Sequence, residues 1–141
     1  MFTALYVITH SGIPLYTHLS FKSETATNRA AHLFSSLLSA ILKFLTEIQA
    51  GETQNFHTET YKIHVSKSRE HAMILIVDSY TQTSEEDVKA LFDKANPEID
   101  LAFLSKGEIT ISTSEMTGIL ELLLGRIVPE WEMGISSRQF S

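Results

Sequence analysis

Six histidines and a run of serines are the residues in this chain whose types could do chemistry: His10, His18, His32, His57, His64 and His71. Imidazoles hold zinc or copper when three or four donors converge, usually helped by thiolate or carboxylate. There is no cysteine, which removes thiolate ligands, disulfides and cysteine nucleophiles together. His10 and His18 flank Ser11-Gly12. Pairing across that turn sets His10 beside Ile13 and His18 beside Leu5, too far apart to share an ion. His64 and His71 flank a polar turn at 67–70. If Ser66 pairs with His71, the two imidazoles share a face diagonally, with His57 near enough to join them. No carboxylate stands at motif spacing to complete a set, so the expectation is a solvated face and no metal.

His32 and Ser36 stand one helical turn apart, with Ser35 and Ser39 nearby. A serine becomes a nucleophile when a base takes its proton, a third group orients that base, and a strained turn exposes the hydroxyl. Neither an orienting group nor such a turn is visible, so a polar helix stripe is the reading. Glu85, Glu86 and Asp87 could be paired acids, but their place in a first helical turn is explained by capping and the helix dipole. Ser11-Gly12 lacks the glycine and lysine spacing of a phosphate loop. No catalytic residue and no cofactor are expected, and the chain reads as a non-enzyme.

The elements that must position these residues are legible. Residues 2–10 and 13–21 are rich in β-branched and aromatic side chains around Ser11-Gly12, and read as a hairpin with a two-residue glycine turn. Both faces of the first strand are apolar, so it should be central. Thr27 or Asn28 would cap a helix running to about residue 49. In it Leu33, Phe34, Leu37, Leu38, Ile41, Leu42, Phe44, Leu45 and Ile48 form one wide face, and Gly51 is the stop signal. The opposite stripe is His32, Ser35, Ser36, Ser39, Lys43 and Glu47. Residues 54–58 suggest a short strand with Phe56 inward. Tyr61, Ile63 and Val65 alternate with Lys62, His64 and Ser66, which predicts a half-exposed strand. Residues 72–78 are continuously apolar and predict a strand buried on both faces.

Ser84 would cap a helix carrying Val88, Leu91, Phe92 and Ala95 inward, ended by Asn96-Pro97. Residues 99–103 and 108–112 are ambiguous, with room for a short extra strand. Ser112-x-x-Glu115 resembles a capping box ahead of Met116, Ile119, Leu120, Leu123 and Leu124, stopped by Gly125. The tail from Pro129 is polar apart from Trp131 and Phe140, and should fray or dock through Trp131.

At 141 residues the chain reads as one domain over 1–128 with a C-terminal tail over 129–141. A net charge of −6 gives no footprint for a phosphate backbone, so nucleic acid is not an expected partner. The N-terminus lacks a signal-peptide pattern and the apolar stretches are too short or interrupted to span a bilayer, so a soluble cytoplasmic protein is expected.

The order is hairpin, helix, three strands and two helices. On Leu5-Tyr6-Val7-Ile8-x-x-Ser11-Gly12-Ile13-Pro14-Leu15-Tyr16, the helix over 33–48, and the strands at 61–65 and 73–78, this β-β-α-β-β-β-α-α order resembles the longin domain, a profilin-like fold. The likeness spans roughly residues 2–95, and more loosely 112–125. It implies an α/β (α+β) architecture: a five-stranded, antiparallel-type sheet sandwiched between one long helix and two C-terminal helices. Roadblock proteins would start with a helix, so the longin branch fits better.

Longin and roadblock folds recur in vesicle SNAREs, adaptor and tethering subunits, the signal-recognition-particle receptor and GTPase exchange factors. The resemblance therefore implies a non-catalytic scaffold in small-GTPase regulation or membrane trafficking. It would homodimerise, or pair with a related longin or roadblock domain, engage a small GTPase, and meet membranes only through partners. No coiled-coil heptads follow, so a fusion role is not implied. If Leu15, Leu19 and Phe21 face the core, Tyr16 and His18 point to the other face of a strand that could be a sheet edge. With the first helix, this makes Tyr16, His18, Phe21, His32, Ser36 and Ser39 the expected interface. The alternative is a small-ligand sensor with a pocket between sheet and helices; a hydrolase built on His32 and the serines ranks third.

Overall fold

The computed structural model describes residues 2–19, 24–79, 83–105 and 113–139. Five antiparallel strands form one sheet, accompanied by three helices, in the order β1 (Phe2–Thr9), β2 (Pro14–Leu19), α1 (Glu24–Glu47), β3 (Thr53–His57), β4 (Tyr61–Lys67), β5 (His71–Asp78), α2 (Glu85–Ser105) and α3 (Thr113–Gln139). This is the mixed α/β order that the residue pattern implies. The chain divides into two compact units, Met1–Thr81 and Gln82–Ser141.

In the first unit the strand order is β2-β1-β5-β4-β3, which leaves β2 and β3 at the edges. The continuous apolar runs of β1 and β5 account for their central place. Ala4, Tyr6, Ile8, Ala72, Ile74 and Ile76 point to one face, where Ile63, Val65 and the α1 residues Ile41 and Leu45 join them in a single buried cluster. Leu5, Val7, Met73, Leu75 and Val77, of opposite parity, are also fully buried. Truncating Ile74 or Leu75 to alanine would therefore cost about 2–5 kcal/mol. Tyr6 stacks on Phe34 at 4.0 Å between centroids and Phe44 lies 5.2 Å from Phe56. These contacts lay α1 along the Tyr6 face.

The first hairpin closes with a three-residue loop rather than two. Gly12 N–H donates to the Thr9 carbonyl and Thr9 N–H to the Ile13 carbonyl, both at 2.9 Å. Gly12 sits at φ +95°, and a Cβ there would lie 3.1 Å from Leu42 Cδ2. A type I turn followed by a left-handed residue has this pattern, and glycine meets both demands. Gly51, at φ +97°, plays a similar part beyond α1. Its N–H donates to the Lys67 carbonyl while Lys67 N–H donates to the Glu52 carbonyl, the arrangement of a glycine β-bulge. α1 begins at Glu24, a turn earlier than the Thr27 or Asn28 cap, and ends at Glu47.

In the second unit Ser84 and Asp87 make a reciprocal box. Asp87 N–H donates to Ser84 Oγ and Ser84 N–H to Asp87 Oδ2, both at 3.1 Å, which satisfies two donors at the start of α2. α2 then runs through Pro97 to Ser105, so Asn96-Pro97 does not end it and residues 99–103 are helical rather than strand. The buried stripe Val88, Leu91, Phe92, Ala95 continues to Ile99. Pro97 is exposed, as is Asp93 one turn before it; the hydrogen bond that proline forfeits faces water, which can serve the orphan carbonyl.

α3 likewise continues through Gly125 and Pro129 to Gln139, so the expected stop and the separate polar tail are both absent. Met116, Leu120, Leu124, Ile127, Val128 and Ile135 keep one buried stripe across both breakers. Trp131 is docked, its Nε1–H donating to the Asp87 carbonyl at 2.8 Å. Exposed pairs Lys94–Glu130 at 3.1 Å and Arg126–Glu98 at 3.0 Å join the two helices, each worth about 0–1 kcal/mol. Residues 108–112, including the capping serine Ser112, lie outside the described residues.

Candidate protein-binding surface

Strand register decides where each histidine goes. In the β4–β5 pair Ser66 faces Met73 and Lys67 faces Ala72, and Ser68 N–H donates to the His71 carbonyl. His71 therefore stands opposite Ser68, not Ser66. His64 and His71 do share a face, but they are four residues apart along the ladder, roughly 13 Å at the rise of a strand. No group of three or more histidine, aspartate or glutamate side chains that could hold a metal occurs among the described residues.

The histidines also have structural work that the sequence does not reveal. His64 and Ser66 are each 4% exposed and His71 is fully buried, so β4 is not half-exposed as its alternation predicts. His64 Nδ1–H donates to Asn55 Oδ1 at 2.8 Å, directly across the β3–β4 register. That bond fixes the tautomer and offsets the cost of burying an imidazole. His10 Nε2–H donates to the carbonyls of Ser68 at 2.9 Å and His71 at 3.1 Å, clasping the first hairpin turn to the β4–β5 turn. The missed signal was the pairing of residues 55 and 64, which follows from the tight turn at Glu59-Thr60.

The expected interface residues fall into two groups. In β2, Tyr16 pairs with Val7 and His18 with Leu5, as the hairpin reading required, and both side chains are half-buried. They stand on the face opposite α1. On α1, His32, Ser36 and Ser39 are exposed, on the stripe turned away from Ile41 and Leu45. A single partner reaches both groups only by passing around the β2 edge. Phe21 lies outside the described residues. His32 and Ser36 sit on a regular α-helix rather than at a strained turn, an arrangement that does not build a nucleophile.

The two sheet edges differ in their protection. β2 opens with Pro14, which brings no N–H, and its pairing with β1 is broken by a register shift at Val7/Ile8. Proline and bulges are devices that blunt an edge. β3, Thr-Gln-Asn-Phe-His, contains no proline and no Lys, Arg, Asp or Glu, and all its side chains but Phe56 are exposed; its bulge, at Gly51-Glu52, falls just ahead of the strand.

No protein-family model and no curated protein sequence matches the chain. No helix among the described residues is long and apolar enough to cross a membrane.

Proposed function

We propose that the chain is a non-catalytic protein-binding module resembling longin domains: a cytoplasmic scaffold that pairs with a second domain of its kind and engages a small GTPase or a trafficking subunit. It reaches membranes only through those partners. The observation that carries this reading is the open-ended sheet. β2 is hydrogen-bonded on one side only among the described strands, and Tyr16 and His18 stand beside that edge with the exposed α1 stripe around the corner. An edge strand supplies main-chain affinity to an incoming strand, while neighbouring aromatic anchors supply specificity.

The test is a binding titration of the purified chain against small GTPases from the same genome, each loaded with GDP or a non-hydrolysable GTP analogue. Tyr16→Asp should weaken the complex at least about tenfold by removing an anchor. Absence of binding in both nucleotide states, or affinity indifferent to Tyr16→Asp, overturns the GTPase role of this surface.

A further inference from the structure

We propose that residues 130–139 of α3 form a strap that closes on the start of α2 through Trp131. The strap opens as one unit, on a hinge at Gly125–Pro129, while the rest of the two helices stays folded. This goes beyond the binding role assigned to the β2 edge and stands or falls independently of it.

The hinge is built into the backbone. In an α-helix the residue at 129 donates its N–H to the carbonyl of residue 125. Pro129 has no N–H to give, and its ring crowds that same carbonyl. The acceptor left over belongs to Gly125, and glycine supports a helix poorly. Both residues are exposed, and proline inside a helix is a usual place for it to bend. One turn of α3 thus combines a missing hydrogen bond with a weak helix former. α2 has a proline as well but no glycine, so it has no such turn.

Beyond the hinge the chain does not hold a helix by itself. The strap is shorter than the roughly 12–15 residues that an isolated helix needs in water. It carries Gly134, where a side chain would meet open space and φ is not positive. Neither packing nor backbone requires a glycine there, yet it leaves the helical state about fivefold less favoured than alanine would. Docking therefore decides whether the strap is helical. Trp131 donates its Nε1–H to the Asp87 carbonyl at 2.8 Å, Glu130 meets Lys94 at 3.1 Å, and Ile135 is buried. The antiparallel register of Lys94–Glu130 and Arg126–Glu98 brings Ile135 level with the first two turns of α2.

What docks together lets go together. Trp131 and Ile135 lie one helical turn apart on the inner side of α3, so release of one carries the other away. Before the hinge, Met116, Leu120 and Leu124 are all buried and keep their part of the helix in place. Opening frees the Asp87 carbonyl, in the reciprocal box that starts α2, and bares apolar surface that the closed protein hides. Segments that open below the global unfolding limit are the ones that switches draw on. The strap is such a device: it makes the start of α2 accessible only in the open state.

The experiment is native-state hydrogen exchange on the full chain, followed amide by amide. In the wild type the amides from Trp131 to Ile135 should share one protection factor, at least about tenfold lower than that of Leu120–Leu124. Low urea should leave it unchanged, because local opening exposes little surface. Gly134→Ala should raise protection throughout the strap about fivefold. Gly118→Ala, the same change in equally open space before the hinge, should leave strap protection as it was. Pro129→Ala should raise it at least about tenfold by restoring the bond to Gly125. Trp131→Phe should lower it about fivefold, the worth of one hydrogen bond. The three alanine variants favour the helix, so the test does not depend on a substitution that fails to fold. Protection that declines gradually from residue 126 onward is plain fraying and overturns the strap. So does a strap as protected as Leu120–Leu124, or a Gly118→Ala effect equal to that of Gly134→Ala.

Discussion

The Lys67 ammonium of β4 donates to the Leu45 carbonyl and, at 3.1 Å, to the Ile48 carbonyl at the end of α1. The last turn of α1 contains no basic residue, so a strand supplies the cation that the helix lacks. The half-buried amine both satisfies carbonyls left without intrahelical partners and meets the negative end of the helix dipole. Lys67→Met keeps the stem and removes these donors. It should lower the unfolding free energy by about 1–2 kcal/mol, read from the urea midpoint at unchanged slope. A midpoint equal to that of the wild type would show that the contact stabilises nothing.

Tyr6 gives the fold an alkaline limit. Burial raises its hydroxyl pKa above 10.0, because desolvation disfavours the phenolate. In the unfolded chain the group titrates near 10. Its contribution is therefore complete below that value and is lost as pH rises through the folded-state pKa. Tyr6→Phe keeps the stack on Phe34 and removes the ionisable group. Between about pH 8 and about pH 11 the wild type should lose more stability than the variant. Parallel pH profiles would contradict the assignment.

Trp131 is the chain's single tryptophan, and its tie to the Asp87 carbonyl makes its fluorescence a reporter on the α2–α3 unit. Trp131→Phe removes the indole donor while keeping an aromatic ring. About 1 kcal/mol of stability should go with it, measured by helical circular dichroism since the fluorophore is lost. Trp131→Ala should cost more, about 3–5 kcal/mol if the site does not collapse. Equal effects for the two variants would assign the whole contribution to packing.

Pro97 is a cost the helix bears. Pro97→Ala restores one helical hydrogen bond and relieves the ring's clash with the preceding turn. Proline is roughly 3 kcal/mol worse than alanine in a helix interior, part of which its restriction of the unfolded chain, about 0.4–1 kcal/mol, returns. The variant should be more stable by about 1–3 kcal/mol. Loss of stability would mean that the ring makes a contact worth more than the bond it forfeits.

The outcome at Pro97 shows how legibility divides in this chain. Periodicity was trustworthy: Val88, Leu91, Phe92 and Ala95 lead on to Ile99 without a break, and that continuity was present in the sequence. Punctuation was not, because Pro97, Gly125 and Pro129 fall on exposed sides where water can serve an unpaired carbonyl. Local pairings were also readable, as with His18 opposite Leu5 and the Ser84–Asp87 box. Burial of His64 and Ser66 was not, since polar residues in an alternating strand imply an outer face. The partner that makes burial of His64 tolerable, Asn55, stands on another strand.

The candidate surface was half legible. Tyr16 and His18 fall where the hairpin register puts them. Their separation from His32, Ser36 and Ser39 by the thickness of the sheet depends on which face α1 covers, which the helix pattern alone does not specify. The edge positions of β2 and β3 emerge only from the strand order β2-β1-β5-β4-β3, which joins segments far apart in the chain.

A titration of the purified chain against small GTPases, each loaded with GDP or a non-hydrolysable GTP analogue, tests the proposed binding role most directly. The wild type should bind in at least one nucleotide state, and Tyr16→Asp should weaken that complex at least about tenfold. Absence of binding in both states, or an affinity indifferent to Tyr16→Asp, would contradict it.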